Sequence, residues 1–178
     1  MNEPLWIFGY GSIIWKTEFP FIAESIGCLQ GWARRFWQAS LDHRGIPEAS
    51  GRVVTLVPSR NNHCWGKLFL LESQKHSKVI EALDHREKGG YERMQADIVN
   101  ASGAIVKAVT YWAPQQNDHF LGPDSLSAMA RQISRAQGPS GSNRDYLFKL
   151  ESALRALGHP DSHVTILANK TRQLLGQS

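Results

Sequence analysis

Cysteine is nearly missing: Cys28 and Cys64 are the only two in 178 residues, and they lack CxxC spacing. Two isolated thiols fit a reduced, cytoplasmic setting in which both act as small packing residues. Long hydrophobic runs are absent as well. No stretch approaches the roughly 20 apolar residues that a membrane-spanning helix requires. The N-terminus carries acidic Glu3 and no basic n-region, so no signal peptide is expected. Gly-Lys-Ser/Thr is missing, which rules out a Walker A loop. Gly9 and Gly11 have dinucleotide spacing, but Ile14 stands where the third glycine belongs. Asp84, His85 and Glu87 form neither an HExxH arrangement nor a thiolate set, and adjacent Asp42 and His43 do not make metal-ligand geometry. Neither a Gly-x-Ser-x-Gly elbow nor a Cys-His signature supports a covalent nucleophile.

What remains is an ordinary globular composition, 42% apolar and 20% charged. Residues 1–178 read as one domain, long enough to bury a proper core and without a dividing linker. The net charge is +4, with acids and bases interspersed. That balance favours anionic small molecules over nucleic acid.

The order of elements suggests an α+β fold. Leu5 to Phe8 reads as a buried strand. Gly27 to Ser40 reads as a long, bent strand with bulge or turn points at Gly27 and Gly31. Val53 to Val57 is β-branched and reads as a strand stopped by Pro58; Asn61-Asn62 marks a turn, and Cys64 to Leu71 returns. Ser73 is placed to cap a helix from about Gln74 to Arg86, with Val79, Ile80 and Leu83 as its apolar face and Gly89-Gly90 as its stop. Tyr91 to Val99 and Ala104 to Trp112 form two further strands. Helices then follow: one from Asp124 or Ser125 to about Gln137, one after Ser142 or Asn143, and one from about Ser162 to Leu175. Several closely spaced strands of this kind can curl into a barrel.

Two stretches could carry chemistry. Phe8-Gly9-Tyr10-Gly11-Ser12 lies between apolar runs, and its glycines let the backbone turn sharply and approach a ligand. Its N–H groups and Ser12 suit carboxylate or phosphate oxygens. A plain tight turn after the first strand explains the same residues. In Arg86-Glu87-Lys88-Gly89-Gly90-Tyr91, Glu87 falls where the helix should end. There it meets the negative end of the helix dipole, offset only in part if Arg86 and Lys88 point to solvent. Burial would add to that and suit a general base; a solvated helix-end glutamate is the bland alternative. Trp32, Arg34, Arg35, Phe36 and Trp37 could stack bases and contact phosphates. Strand alternation instead packs the aromatics inside and leaves the arginines outside or paired. Leu41-Asp42-His43-Arg44 and Leu83-Asp84-His85-Arg86 repeat by coincidence, since their flanks differ.

Taken together, the motifs resemble those of the ChaC-like γ-glutamylcyclotransferases, which act on glutathione. The matching segments are Phe8 to Lys16, Arg34-Arg35-Phe36-Trp37-Gln38, Asp42-His43-Arg44-Gly45, Gly51 to Leu56, Arg86 to Tyr91, Tyr111, Leu121-Gly122-Pro123 and Gly138-Pro139-Ser140-Gly141. Their order is the family's, over about residues 5 to 150. Departures are small: Ile13 replaces the commoner leucine, and Asp145 in Asn143-Arg144-Asp145-Tyr146 replaces a glutamate.

The resemblance implies a small β-barrel with surrounding helices. It makes Glu87 the catalytic residue. Substrate binding falls to Ile7, Phe8, Gly9, Tyr10, Gly11, Ser12 and Ile13, with Arg44, Tyr91 and Tyr146. It implies glutathione as the partner, with no cofactor, no metal, no nucleic acid and no membrane. The products would be 5-oxoproline and cysteinylglycine.

Overall fold

Alternation and turn chemistry fix the strands. In the computed structural model, which describes residues 4–176, β1 (Trp6–Gly9) is short and buried over its last three residues. Glu3 lies outside the described residues. β2 (Ala23–Ser40) and β3 (Gly51–Leu70) are long; β4 (Glu92–Asn100) and β5 (Ile105–Trp112) form a hairpin. Asn100 builds the turn: its side-chain oxygen accepts from the Ser102 and Ala104 amides at 3.0 Å each. The strands close into a barrel in the order β1-β3-β2-β4-β5. Antiparallel β1–β3 pairing sets Phe8 opposite Leu68, and a parallel β1–β5 pair, Trp6 with Ala108, completes the circuit. The expected α+β barrel is the observed architecture.

Of the described residues, 4–33 and 56–114 form one compact unit, and 34–55 with 115–176 form another. The first holds β1, β4, β5, part of β2 and β3, and helix α1 (His76–Arg86). Val79 and Leu83 of α1 pack with Ile7, Ile13, Phe69 and Tyr111, and Ile80 lies against the same cluster. The second holds α2 (Leu126–Arg135), α3 (Asn143–Ala156), α4 (Ser162–Leu174) and a small hairpin of β6 (Gln137–Gly138) and β7 (Gly141–Ser142). Ser125, Ser142 and Asp161 cap its three helices, each accepting from the amide three residues on. Asp145 lies in the first turn of α3, where negative charge suits the dipole. Buried Leu147, Leu150, Val164 and Leu167 supply the packing of α3 and α4.

Three local expectations change. β3 runs unbroken from Gly51 to Leu70, through Pro58 and Asn61-Asn62. Pro58 is exposed there, and an exposed proline can lack a donor without orphaning a buried group. Ser73 caps nothing: it starts a 3₁₀ turn, Ser73–Lys75, and α1 begins only at His76 without a side-chain cap. Gly31 has the left-handed φ of 77° expected of a bulge, but Gly27 is an ordinary ladder residue opposite Asn100. A side chain at Gly27 would come within 2.7 Å of Ile98. Of the arginines expected outside or paired, Arg34 is paired: it is 1% exposed and donates to Asp161 at 3.0 Å. Phe36, two residues on, is wholly buried, and Trp32 packs edge-on against Trp112.

Cys28 and Cys64 are both buried and form no disulfide; burial pushes the Cys28 thiol's pKa up.

His163 of α4 carries a pH dependence. Its Nε2 accepts from the Phe36 amide at 3.2 Å, which requires the neutral ring. Burial first, and the cationic Arg35 next, push its pKa down from 6.5 to about 4. Unfolded chains therefore bind a proton here between those values while the fold does not. Stability is complete above pH 6.5 and declines as pH falls toward 4. The lost contribution is about 2–3 kcal/mol. Urea unfolding at pH 7 and pH 4.5 should show wild type losing more stability than His163→Gln, which keeps an acceptor but does not titrate. Equal losses in both proteins would remove His163 as the cause.

Candidate active site

The first unit brings together two segments far apart in sequence. β1 delivers Ile7, Phe8 and Gly9, all buried, into Tyr10 and Gly11. The chain then turns through a 3₁₀ segment, Ser12–Ile14, whose backbone bonds run from the Ile14 amide to Gly11 O at 3.0 Å and from the Lys16 amide to Ser12 O at 2.8 Å. Close approach of backbones explains part of the glycine content. A Cβ on Gly66 of β3 would lie 2.3 Å from the Gly9 carbonyl oxygen, a separation no real side chain tolerates. Thr110 pins the Phe8 carbonyl with its hydroxyl at 2.9 Å, and the Tyr10 hydroxyl donates to the Tyr111 carbonyl at 2.7 Å.

The second segment is the end of α1. Glu87 is the residue that closes the helix; its amide donates to Leu83 O at 2.9 Å, and its carbonyl accepts from the Tyr91 amide at 3.3 Å. Its side chain is 19% exposed, neither sealed in the core nor fully solvated. Arg86 folds back rather than extending into solvent, so the condition for a weak offset is not met. Its Nη2 donates to Ser12 Oγ at 2.7 Å, Nη1 to Lys16 O at 3.2 Å, and Nε lies 3.4 Å from Glu87 Oε1. The Glu87 carboxylate therefore meets a cation as well as the negative helix end. One turn earlier, Asp84 accepts from the Tyr111 hydroxyl at 2.7 Å and faces Arg93 at 3.1 Å. Burial, then the bond to Asp84, push the Tyr111 pKa far up, so this phenol stays a donor.

Two of the sequence-derived residues lie in the second unit. Arg44 donates from Nη1 to the Ser142 carbonyl at 3.3 Å, and its guanidinium sits 5.7 Å from the centre of the Tyr146 ring. Tyr146 is buried and packs edge-on against Phe36. Thus Ile7 to Ile13, Glu87 and Tyr91 belong to one unit, while Arg44 and Tyr146 pair in the other.

Sequence reasoning weighed Asp84 only as a metal ligand and did not give Asp84, Arg86 or Tyr111 their contacts. One signal was available. Asp84 and Glu87 are three residues apart on one helix, so they share a face. Among the described residues no three His, Cys, Asp or Glu side chains are grouped as a metal site would need, and no helix is long and apolar enough to cross a membrane.

The model of the ChaC-like protein family matches residues 5–174. The chain is 42% identical to γ-glutamylcyclotransferase 2-3 of Arabidopsis thaliana, with 98% of this chain and 92% of that protein covered. It is 34% identical to the human glutathione-specific γ-glutamylcyclotransferase 1, with 97% and 81% covered. Among solved structures, it is similar to a γ-glutamyl cyclotransferase specific to glutathione from yeast. That match has a TM-score of 0.91 and 27% identity, and covers 97% of both chains.

Proposed function

Given that this chain belongs to the ChaC-like protein family, we propose that it is a γ-glutamylcyclotransferase that cleaves glutathione. The nearly full-length family match carries the reading. The site chemistry agrees with it. In this reaction the γ-glutamyl α-amine attacks its own γ-carbonyl. A five-membered lactam forms as the bond to the cysteinyl nitrogen breaks. Nucleophile and electrophile share one molecule, so holding a folded substrate supplies much of the acceleration.

The amine is largely protonated at neutral pH and must lose a proton before it attacks. Glu87 is the base we assign to it. The same carboxyl then returns a proton to the departing amine of cysteinylglycine. The loop from Ile7 to Ile13 is assigned the γ-glutamyl group, with its N–H groups as oxyanion donors. Tyr91, Arg44 and Tyr146 are assigned to substrate binding. The step needs neither metal nor covalent nucleophile, since the substrate brings its own. The buried Cys28 and Cys64 suit a reducing, cytoplasmic setting.

Incubation with glutathione tests the reading. 5-Oxoproline and cysteinylglycine should appear in equal amounts, without free glutamate. Release of glutamate would show hydrolysis and overturn it. No turnover of glutathione, with turnover of other γ-glutamyl amines, would replace the substrate and keep the reaction.

A further inference from the structure

One guanidinium gathers four partners at the end of α1. Arg86 reaches Ser12 Oγ at 2.7 Å, Lys16 O at 3.2 Å, Glu18 Oε2 at 3.4 Å and Glu87 Oε1 at 3.4 Å. Its side chain is only 20% exposed. An arginine at a helix end ordinarily extends into water. This one is folded back so that a single planar fork touches both the loop and the carboxylate assigned as base.

We propose that Arg86 is a positioning residue that turns the Ser12 hydroxyl into an oxyanion donor and holds it in register with Glu87; this rests on the cyclotransferase reading. Guanidinium nitrogens only donate, so Ser12 Oγ accepts from Arg86 and its own hydrogen points elsewhere. Among the described residues that hydrogen has no acceptor. A hydroxyl that accepts from a cation is polarised and donates more strongly. The carbonyl oxygen that gains charge as the lactam closes is the acceptor this hydroxyl suits. The fork also explains why lysine would not serve. A point charge on a flexible stem cannot fix two partners at set angles.

Wild type, Ser12→Ala, Arg86→Gln, Arg86→Lys and the Ser12→Ala/Arg86→Gln double variant are compared for release of 5-oxoproline from glutathione. Thermal melts serve as the check on folding. Ser12→Ala should lower kcat about 10²-fold, as loss of one oxyanion donor does, with KM changed less than about threefold. Arg86→Gln should lose a large part of that and no more than Ser12→Ala, and Arg86→Lys should recover little of it. The double variant should be no slower than Ser12→Ala alone, because Arg86 acts through Ser12. Wild-type kcat in Ser12→Ala overturns the inference, and so does a double variant that loses the product of the two single factors. Should the Arg86 variants fail to fold, Ser12→Ala decides alone, since it removes one oxygen from a half-buried turn. A wild-type protein that makes no 5-oxoproline from glutathione or any other γ-glutamyl amine brings down the cyclotransferase reading itself. A wild type that makes it while Ser12→Ala matches it brings down only this inference.

Discussion

Glu87→Gln should melt like wild type and lose 10²–10⁴-fold in turnover of glutathione, roughly the range expected for one general base. Glutamine matches the volume of glutamate and keeps an oxygen that can face Arg86 Nε, now 3.4 Å from the carboxylate. The backbone role of the residue is untouched, since the bonds from its amide to Leu83 and to its carbonyl from Tyr91 involve no side-chain atom. What disappears is the capacity to take a proton from the substrate ammonium and to return one to the leaving amine. KM should therefore move much less than kcat. Near-native turnover by a folded Glu87→Gln protein would remove Glu87 from the mechanism and send the search for a base to its neighbour Asp84.

Glutathione acetylated on the α-amine should release no cysteinylglycine at all. Acetylation converts the nucleophile into an amide whose lone pair is delocalised and cannot close the ring. The prediction separates cyclisation from peptide hydrolysis. A hydrolase uses water or a side chain as nucleophile and leaves the substrate amine uninvolved, so an N-acetyl group would be tolerated wherever space allowed. Competition against unmodified glutathione must accompany the turnover assay, to separate lost chemistry from lost binding. The loop from Tyr10 to Ser12 is assigned the glutamyl carboxylate and carbonyl, which acetylation leaves intact, so measurable competition is expected. Cysteinylglycine appearing together with N-acetylglutamate would mean that water attacked the amide, and the cyclotransferase assignment would fall.

Much of the architecture was legible because it rests on local chemistry. Ser125 and Ser142, each one of two expected helix starts, cap α2 and α3, and the gap between the strands expected to end at Val99 and begin at Ala104 is the turn that Asn100 builds. Local signals misled where tertiary pairing decided. Pro58 and Asn61-Asn62 look like a strand end and a turn, yet β3 continues through them. Ser73 has the composition of a cap and the position of a first turn residue. The candidate site divides along the same line. Its motifs could be read in the one-dimensional string, because glycine pairs and a glutamate at a helix end are sequence patterns. The links between motifs could not. Arg86 to Ser12 spans 74 positions and Tyr10 to Tyr111 spans 101; no periodicity encodes separations of that size. A paired Arg34 was expected, but its partner Asp161, 127 positions away, escaped for the same reason.

The burial of both sulfurs has a chemical meaning beyond packing. Thiol–disulfide exchange needs a thiolate that an incoming sulfur can approach. Cys64 has no exposed surface and Cys28 is 3% exposed, with its thiol held protonated by burial. A molecule that handles a sulfur-bearing tripeptide thus offers that tripeptide, or its oxidised dimer, nothing to exchange with. The groups assigned to the reaction are a carboxylate, a hydroxyl and backbone amides, none of which changes oxidation state. Its rate should follow how much substrate is present, and stay indifferent to the redox poise that the same substrate helps to set.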